Sequence, residues 1–258
     1  MSPPSPAQQQ PGGSDAAERT GSSAGVPALR LHDVRSGYGE AVVVNGVDLD
    51  VHCGEIVALL GKNGMGKSTL LKTVMGFVPI RGGEVALFGE RVDALAPFRI
   101  ARRAIAYTPQ EQALFQDLTV RENLRLGLRN DRELEEGIAG VGEMFPFIPQ
   151  RLRQHAGTLS GGEQKMLLVA RALISRPKLM LIDEITEGLQ PSVIDRLIGA
   201  LRAERERAGT AMLLVEQHVK FALAVADRYA VLKLGEIADS GAVGTAGIEH
   251  RIADQLSV

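Results

Sequence analysis

The run GKNGMGKST, from Gly61 to Thr69, restricts this chain more than any other feature. It has the spacing G-x-x-x-x-G-K-[S/T] and lies between a continuous apolar segment, Ile56–Leu60, and a stretch of helical character from Lys67 to about Met75. Five apolar residues without polar alternation read as a strand buried on both faces of a parallel sheet. A strand that turns through glycines into a helix aims backbone N–H groups inward, and the helix adds the positive end of its dipole. Such a cradle binds phosphate. Gly61, Gly64 and Gly66 give the turn, with Lys62, Asn63 and Met65 between them. Lys67 is placed to reach β- and γ-phosphates, the Ser68 hydroxyl is an oxygen ligand for Mg2+, and Thr69 completes the set. Alone, the loop predicts a nucleoside-triphosphate site and leaves the class of protein open.

The rest of the chain extends the same pattern. Leu179–Ile182 and Met212–Val215 are further apolar runs, and Ser160–Ser175 and Pro191–Arg207 read as helices alternating with them. That alternation predicts an α/β fold with a mainly parallel sheet. Near the N-terminus, Val42–Val44 and Val47–Val51 read as strands joined by a turn at Asn45-Gly46, an antiparallel region. From about 111 to 160 no strand is evident, and Glu122–Leu128 and Glu133–Phe145 read as helices of an inserted helical subdomain. Residues 1–27, rich in Pro, Gln, Ser and Gly, cannot bury a core and are expected to be a disordered tail; they lack the basic and apolar regions of a secretory signal. Residues 28–258 then form one domain. No apolar run approaches the roughly 18–20 residues that span a bilayer. A net charge of −2 carries no footprint of nucleic-acid binding. The single cysteine, Cys53, excludes an internal disulfide, suits a reducing compartment and reads as a small strand residue.

Two further motifs carry chemistry. Lys178–Glu184 is an apolar strand ending in two carboxylates, and ligands of open parallel sheets bind beyond the carboxyl ends of strands. Asp183 is therefore a candidate for holding Mg2+ and Glu184 for polarising the attacking water. Leu159-Ser160-Gly161-Gly162-Glu163-Gln164 opens an amphipathic helix, with Ser160 and Glu163 spaced as a capping box. The same residues at a helix N-terminus also make an anion site.

On these motifs the chain resembles the ABC ATPases over about residues 28–240. The resemblance implies a P-loop NTPase core with a helical signature subdomain and binding of ATP and Mg2+. It assigns Ser160–Glu163 as the signature that grips the γ-phosphate held by an opposite subunit. Tyr38, in SGYGE, matches the aromatic that stacks on adenine; Gln110, in YTPQ, matches a glutamine that touches Mg2+ and couples to the permease. Glu187–Gln190 sits at the D-loop. The chain departs from the common pattern at Ile185, where Pro is usual, and at Gln190, where Asp is usual. Counting back from Ala226-Asp227-Arg228 puts the switch, commonly histidine, at Gln217. His218 is the alternative one place later, where a strand end points the side chain the other way and a helix-start residue is expected.

Glutamine within VEQ, together with EGLQP, is similar to one ATPase of the branched-chain amino acid uptake systems, with TEGLQPSV nearest the urea branch. The resemblance implies a second, different ATPase subunit, two transmembrane permease subunits, an external solute-binding protein, and a place at the cytoplasmic face of the membrane. It leaves two alternatives. Repair or ribosomal ABC ATPases carry a long coiled coil or two ATPase domains, where this chain has one short insertion and one domain. An ATP clamp with weak hydrolysis at its own site stays open through the altered switch.

Overall fold

The structure, a computed structural model, describes residues 25–110 and 114–257. The expected tail falls outside the described residues as far as position 24; of the remainder, Pro27 is buried, and the carbonyl of Ala28 accepts the Phe88 N–H at 3.1 Å. In chain order the strands are β1 (Leu29–Tyr38), β2 (Ala41–Val51), β3 (Ile56–Leu60), β4 (Ile80–Leu87), β5 (Glu90–Arg91), β6 (Ile105–Thr108), β7 (Leu179–Asp183), β8 (Ala211–Glu216), β9 (Arg228–Lys233) and β10 (Glu236–Ala242). The helices are α1 (Lys67–Val74), α2 (Pro97–Ile100), α3 (Val120–Arg125), α4 (Leu134–Met144), α5 (Phe147–Gln150), α6 (Gly161–Leu173), α7 (Pro191–Ala208), α8 (Val219–Val225) and α9 (Ile248–Ser257).

The strands form two sheets. One is antiparallel, in the order β2-β1-β4-β5; the other runs β10-β9-β3-β8-β7-β6 and is parallel except for β10. Every residue of β3, β7 and β8 is buried, as their unbroken apolar runs require of central strands covered on both faces. One core lies between the two sheets and α1; another lies on the opposite face, under α6, α7 and the helical insertion. The register aligns the carboxyl ends of the central strands, with Leu60 beside Glu216 and Asp183 beside Val215. The segments after β3, β7 and β8 therefore emerge together, and that edge carries the site.

Two expectations are corrected. Asn45-Gly46 does not turn the chain, because β2 is continuous across it. Val34 pairs with Val47 and Arg35 with Asn45, so Gly46, at φ 72°, is the extra residue of a bulge. The hairpin turns instead at Gly39-Glu40. Both dipeptides suit a turn; pairing with β1 selects the later bulge and the earlier reversal. Cys53 is not a strand residue but lies exposed in the turn between β2 and β3. The β9–β10 hairpin was not evident from the sequence; it reverses at Leu234-Gly235, both with positive φ, 49° and 84°.

Helix ends follow local rules. Thr119 and Glu122 form a reciprocal capping box at α3, as Ser160 and Glu163 do at α6. Pro191 opens α7, and Gly209 closes it in the left-handed region at φ 65°. Among the described residues no helix is long and apolar enough to cross a membrane. Leu181, fully buried at the centre of β7, tests the core that sets the strand ends. Leu181→Ala is expected to lower unfolding free energy by about 2–5 kcal/mol in a urea titration followed by circular dichroism.

Candidate nucleotide site

Helix α1 starts without a side-chain cap; its N-cap is Gly66 at φ 99°, and its first-turn N–H groups are left for an anion. Gly66 is required on two counts, since a Cβ there would be left-handed and 2.9 Å from the Val43 carbonyl oxygen. Gly61 is required by close approach, with a Cβ 2.6 Å from the Leu232 carbonyl oxygen. Lys67 is buried and bent back over the loop. Its ammonium donates to the carbonyls of Gly61 (2.8 Å) and Lys62 (3.0 Å) and pairs with Glu184 Oε1 at 2.9 Å.

The two carboxylates expected to face the loop do so. Ser68 Oγ donates to Asp183 Oδ1 at 3.0 Å, and the Tyr107 hydroxyl lies 3.5 Å from Asp183 Oδ2. Burial pushes the Asp183 carboxyl above the usual carboxylate range and the Glu184 charge adds to this, while the Ser68 bond and the lysines Lys72 and Lys67 oppose it. Glu184 sits in the left-handed region at φ 45°, its N–H bonded to the Val215 carbonyl at 2.9 Å. A non-glycine residue there is uncommon and marks local strain. Its Oε2 accepts two amides, from Gln110 Nε2 at 2.9 Å and Gln217 Nε2 at 3.0 Å.

At the end of β8 it is Gln217 whose side chain turns toward the phosphate loop and Glu184. Its amide also donates to Asn63 Oδ1 at 2.5 Å, tying the segment after β8 to the phosphate loop. His218 faces away as the N-cap of α8, its Nδ1 accepting the Phe221 N–H at 3.2 Å. Gln110 touches Glu187 as well, at 3.2 Å, and its carbonyl accepts Lys165 Nζ from α6 at 3.0 Å. Tyr38 ends β1 with its ring half exposed, free to present a face. Ser160 and Glu163 bond to each other, and Arg151 pairs with Glu163 at 3.1 Å. These contacts stay inside the helical region. Gly162 packs on α7, where a Cβ would meet Val193 Cγ2 at 2.9 Å, whereas a Cβ at Gly161 would meet open space.

A phosphate loop, an acidic strand end and a capped Ser-Gly-Gly-Glu helix are thus present in one chain. A family model described as ABC transporter matches residues 44–187, more than half of the chain. The chain is 40% identical over 218 residues to the high-affinity branched-chain amino acid transport ATP-binding protein BraG of Pseudomonas aeruginosa, covering 83% of this chain and 93% of that one. The chain belongs to the ABC transporter family. It is 34% identical over 230 residues to the probable branched-chain amino acid transport ATP-binding protein LivF of Archaeoglobus fulgidus, covering 88% and 97%. It is also 36% identical, over 83% and 90%, to the lipopolysaccharide export system ATP-binding protein LptB of Escherichia coli K12. A solved ATP-binding subunit of an ABC transporter superposes with a TM-score of 0.76 at 28% identity, covering 87% of this chain and 94% of that one. A nucleotide-free ATP-binding cassette of an ABC transporter, at 24% identity and TM-score 0.79, has the same fold over 88% and 96%. This ABC cassette is accordingly an ATPase whose hydrolysis is coupled to transport.

Four residues of the ABC cassette's site escaped the sequence reading. Tyr107 and Lys165 gave no signal beyond an aromatic in a strand and a cation on a helix. Thr186 and Glu216 join across a separation of 30 residues: Glu216 Oε2 accepts the Thr186 hydroxyl at 2.9 Å and Oε1 accepts its N–H at 3.3 Å. The available signal was a carboxylate ending the apolar run Ala211–Val215. Burial pushes Glu216 up to about 7; the hydrogen bonds from Thr186 and His218 oppose this, and the Glu184 charge adds to it. The folded chain therefore holds a proton on Glu216 that the unfolded chain has released, so this group favours folding below the usual carboxylate range and loses that contribution as pH rises through about 7. Relative to the parent, Glu216→Gln is expected to gain stability across that window, by up to about 3 kcal/mol, in denaturant titrations from pH 4.5 to 8. A parent–variant difference independent of pH would assign the proton elsewhere.

Proposed function

We propose that this chain is one of two ATPase subunits of an importer for a branched-chain amino acid or a related small polar solute. The observation that carries the catalytic part is the Glu184 carboxylate, held over the phosphate loop by Lys67, Gln110 and Gln217. Likeness to BraG and LivF, both named for branched-chain amino acid transport, favours that solute class. LptB, named for lipopolysaccharide export, represents the competing direction at lower identity than BraG.

Lys67 would leave Gly61, Lys62 and Glu184 for the β- and γ-phosphates, and Tyr38 would stack on the base. Glu184, freed of its ammonium partner, would accept a hydrogen bond from the attacking water and align it with the γ-phosphate. Gln110 and Gln217 keep Glu184 oriented while this exchange occurs. Mg2+ fits the residues: Ser68 Oγ, Asp183 and the Gln110 amide oxygen are hard donors, and burial leaves Asp183 short of positive charge. When bound, the ion would neutralise charge developing on the phosphate oxygens. Ser160–Glu163 would complete the site of a second ATPase subunit, so ATP bridges the two and loss of the γ-phosphate loosens them. Closure would pass to two permease subunits, fed by an external solute-binding protein, through the groove beside Gln110. Gln110 lines a pocket of about 180 Å³ together with Leu114, Gln116, Gly161 and Gln164, and a larger groove of about 490 Å³ lies between β6 and the helical region, lined by residues including Arg102, Tyr107, Leu126 and Arg129. The chain would sit at the cytoplasmic face of the membrane through these permeases.

Glu184→Gln is expected to keep ATP affinity and to slow hydrolysis at this site about 100-fold or more, measured by single-turnover phosphate release. Hydrolysis at the parental rate removes Glu184 as the base. In vesicles holding the full set of subunits, ATP should drive uptake of leucine or valine. Uptake of urea alone would move the solute to that branch, and ATP-driven efflux would reject the importer.

Gln217 can donate a hydrogen bond but cannot carry an imidazolium charge or pass on a proton, so this chain's own site should be the slower of two. Ser160→Arg should then reduce transport at least as much as Gln217→Ala, because the signature serves the faster site. Equal single-turnover rates at both parental sites would sink the asymmetry, as would vigorous turnover by a homodimer of this chain.

A further inference from the structure

Glu216 takes no part in the scheme above, yet it is 2% exposed and ends the strand beside the one that leads to Glu184. It spans the two segments that meet at the γ-phosphate position. The chain leaves β7 at Asp183, passes Glu184 in the left-handed region, and returns to regular backbone through Ile185 and Thr186, both buried. Thr186 is fixed by Glu216 through both its N–H and its hydroxyl. On its own segment, Glu216 immediately precedes Gln217, whose amide reaches Glu184 at 3.0 Å. The base and the switch glutamine thus hydrogen-bond to each other above, while Thr186 and Glu216 hydrogen-bond to each other below. Those two links clamp the same pair of segments.

We propose that Glu216 is a positioning residue for hydrolysis: by holding Thr186 it fixes the strained turn that aims Glu184 and sets its distance from Gln217. This rests on the reading of Glu184 as the general base. Two features make the clamp more than packing. The left-handed backbone of Glu184 is fixed on its N-terminal side by strand β7 and by its own N–H bond to Val215, and anchored on its C-terminal side by the contacts of Glu216 with Thr186. The anchor is also chemically matched to its site. Glu216 is acceptor-only when ionised, and the groups converging on it, the Thr186 N–H and hydroxyl and the His218 N–H, all donate. When Glu216 is protonated, the Thr186 hydroxyl can rotate to accept, so the link survives with one bond reversed.

The charged group that acts on Glu216 from a neighbouring element is Glu184, at the end of β7. On the other side, β3 places the apolar Leu60 beside it. From the segment that follows it, His218 presents its N–H and uses its Nδ1 to cap α8.

The test compares Glu216→Ala, Glu216→Gln and Thr186→Val, with Glu184→Gln as control, in the assembled transporter. ATP affinity and single-turnover hydrolysis are measured per ATP-binding site from pH 6 to 8.5. Glu216→Ala is expected to lose tenfold or more in rate with ATP affinity unchanged within twofold. Glu216→Gln, which keeps volume and can still bridge Thr186, is expected to recover to within threefold of the parent. Thr186→Val should fall severalfold. Loss of rate confined to the fraction of chains that no longer bind ATP would indicate a structural role only and overturn the proposal. So would Glu216→Ala within twofold of the parent while Glu184→Gln is inactive. If Glu216→Ala fails to fold, Thr186→Val decides, and a parental rate in it overturns the proposal. Full activity in Glu184→Gln would instead overturn the underlying reading of the base.

Discussion

Lys67 and Glu184 form an ion pair whose side chains are only 3% and 5% exposed, and the arrangement of the site follows from it. A buried pair gains little net stability, because desolvation offsets the attraction; its force lies in what happens when one partner leaves, when the other remains as an uncompensated charge. Lys67 can turn to a phosphate only if Glu184 keeps other donors. The amides of Gln110 and Gln217 are those donors, one from the end of β6 and one from the end of β8. Phosphate loop, acidic strand end, glutamine loop and switch are therefore one electrostatic unit, and a ligand that engages Lys67 changes the balance in all four.

That unit is joined to the helical region by Lys165, whose ammonium donates to the carbonyl of Gln110. Lys165 lies about one turn from the Ser160–Glu163 cap, so the helix that carries the cap is tethered to the residue that touches Glu184. Gly162 brings the same helix close enough to α7 that a methyl group would collide with Val193. Both contacts lie at the start of α6, whose buried face from Met166 to Leu173 packs into the core.

What was legible in the sequence was local. The phosphate loop, the all-apolar strands and the Ser160–Glu163 box are each written in a few consecutive residues, and the structure has them where spacing places them. Counting back from Ala226-Asp227-Arg228 pointed to Gln217, and it is the Gln217 amide that reaches Glu184 while His218 caps α8. Asn45-Gly46 was misread because a glycine with positive φ serves a turn and a bulge equally, and only pairing with β1 decides between them. Cys53 misled by its size, since the turn it occupies owes its form to Gly54. Thr186 and Glu216 were invisible because the bond that joins them exists only after β7 and β8 are laid side by side. The helix of the insertion expected over Glu122–Leu128 is shorter, Val120–Arg125, and starts where Thr119 can cap it.

The left-handed backbone at Glu184 bears on how this cassette can change over time. A glycine there would relieve the conformation and fold at least as readily, yet would remove the carboxylate that the proposed mechanism uses; any other L-residue keeps the strain. The position is thus one where selection for robustness and selection for turnover pull in opposite directions. Substitutions that calm the turn would accumulate first in copies released from hydrolysis, which makes its backbone conformation a marker of whether a given cassette still works as a motor.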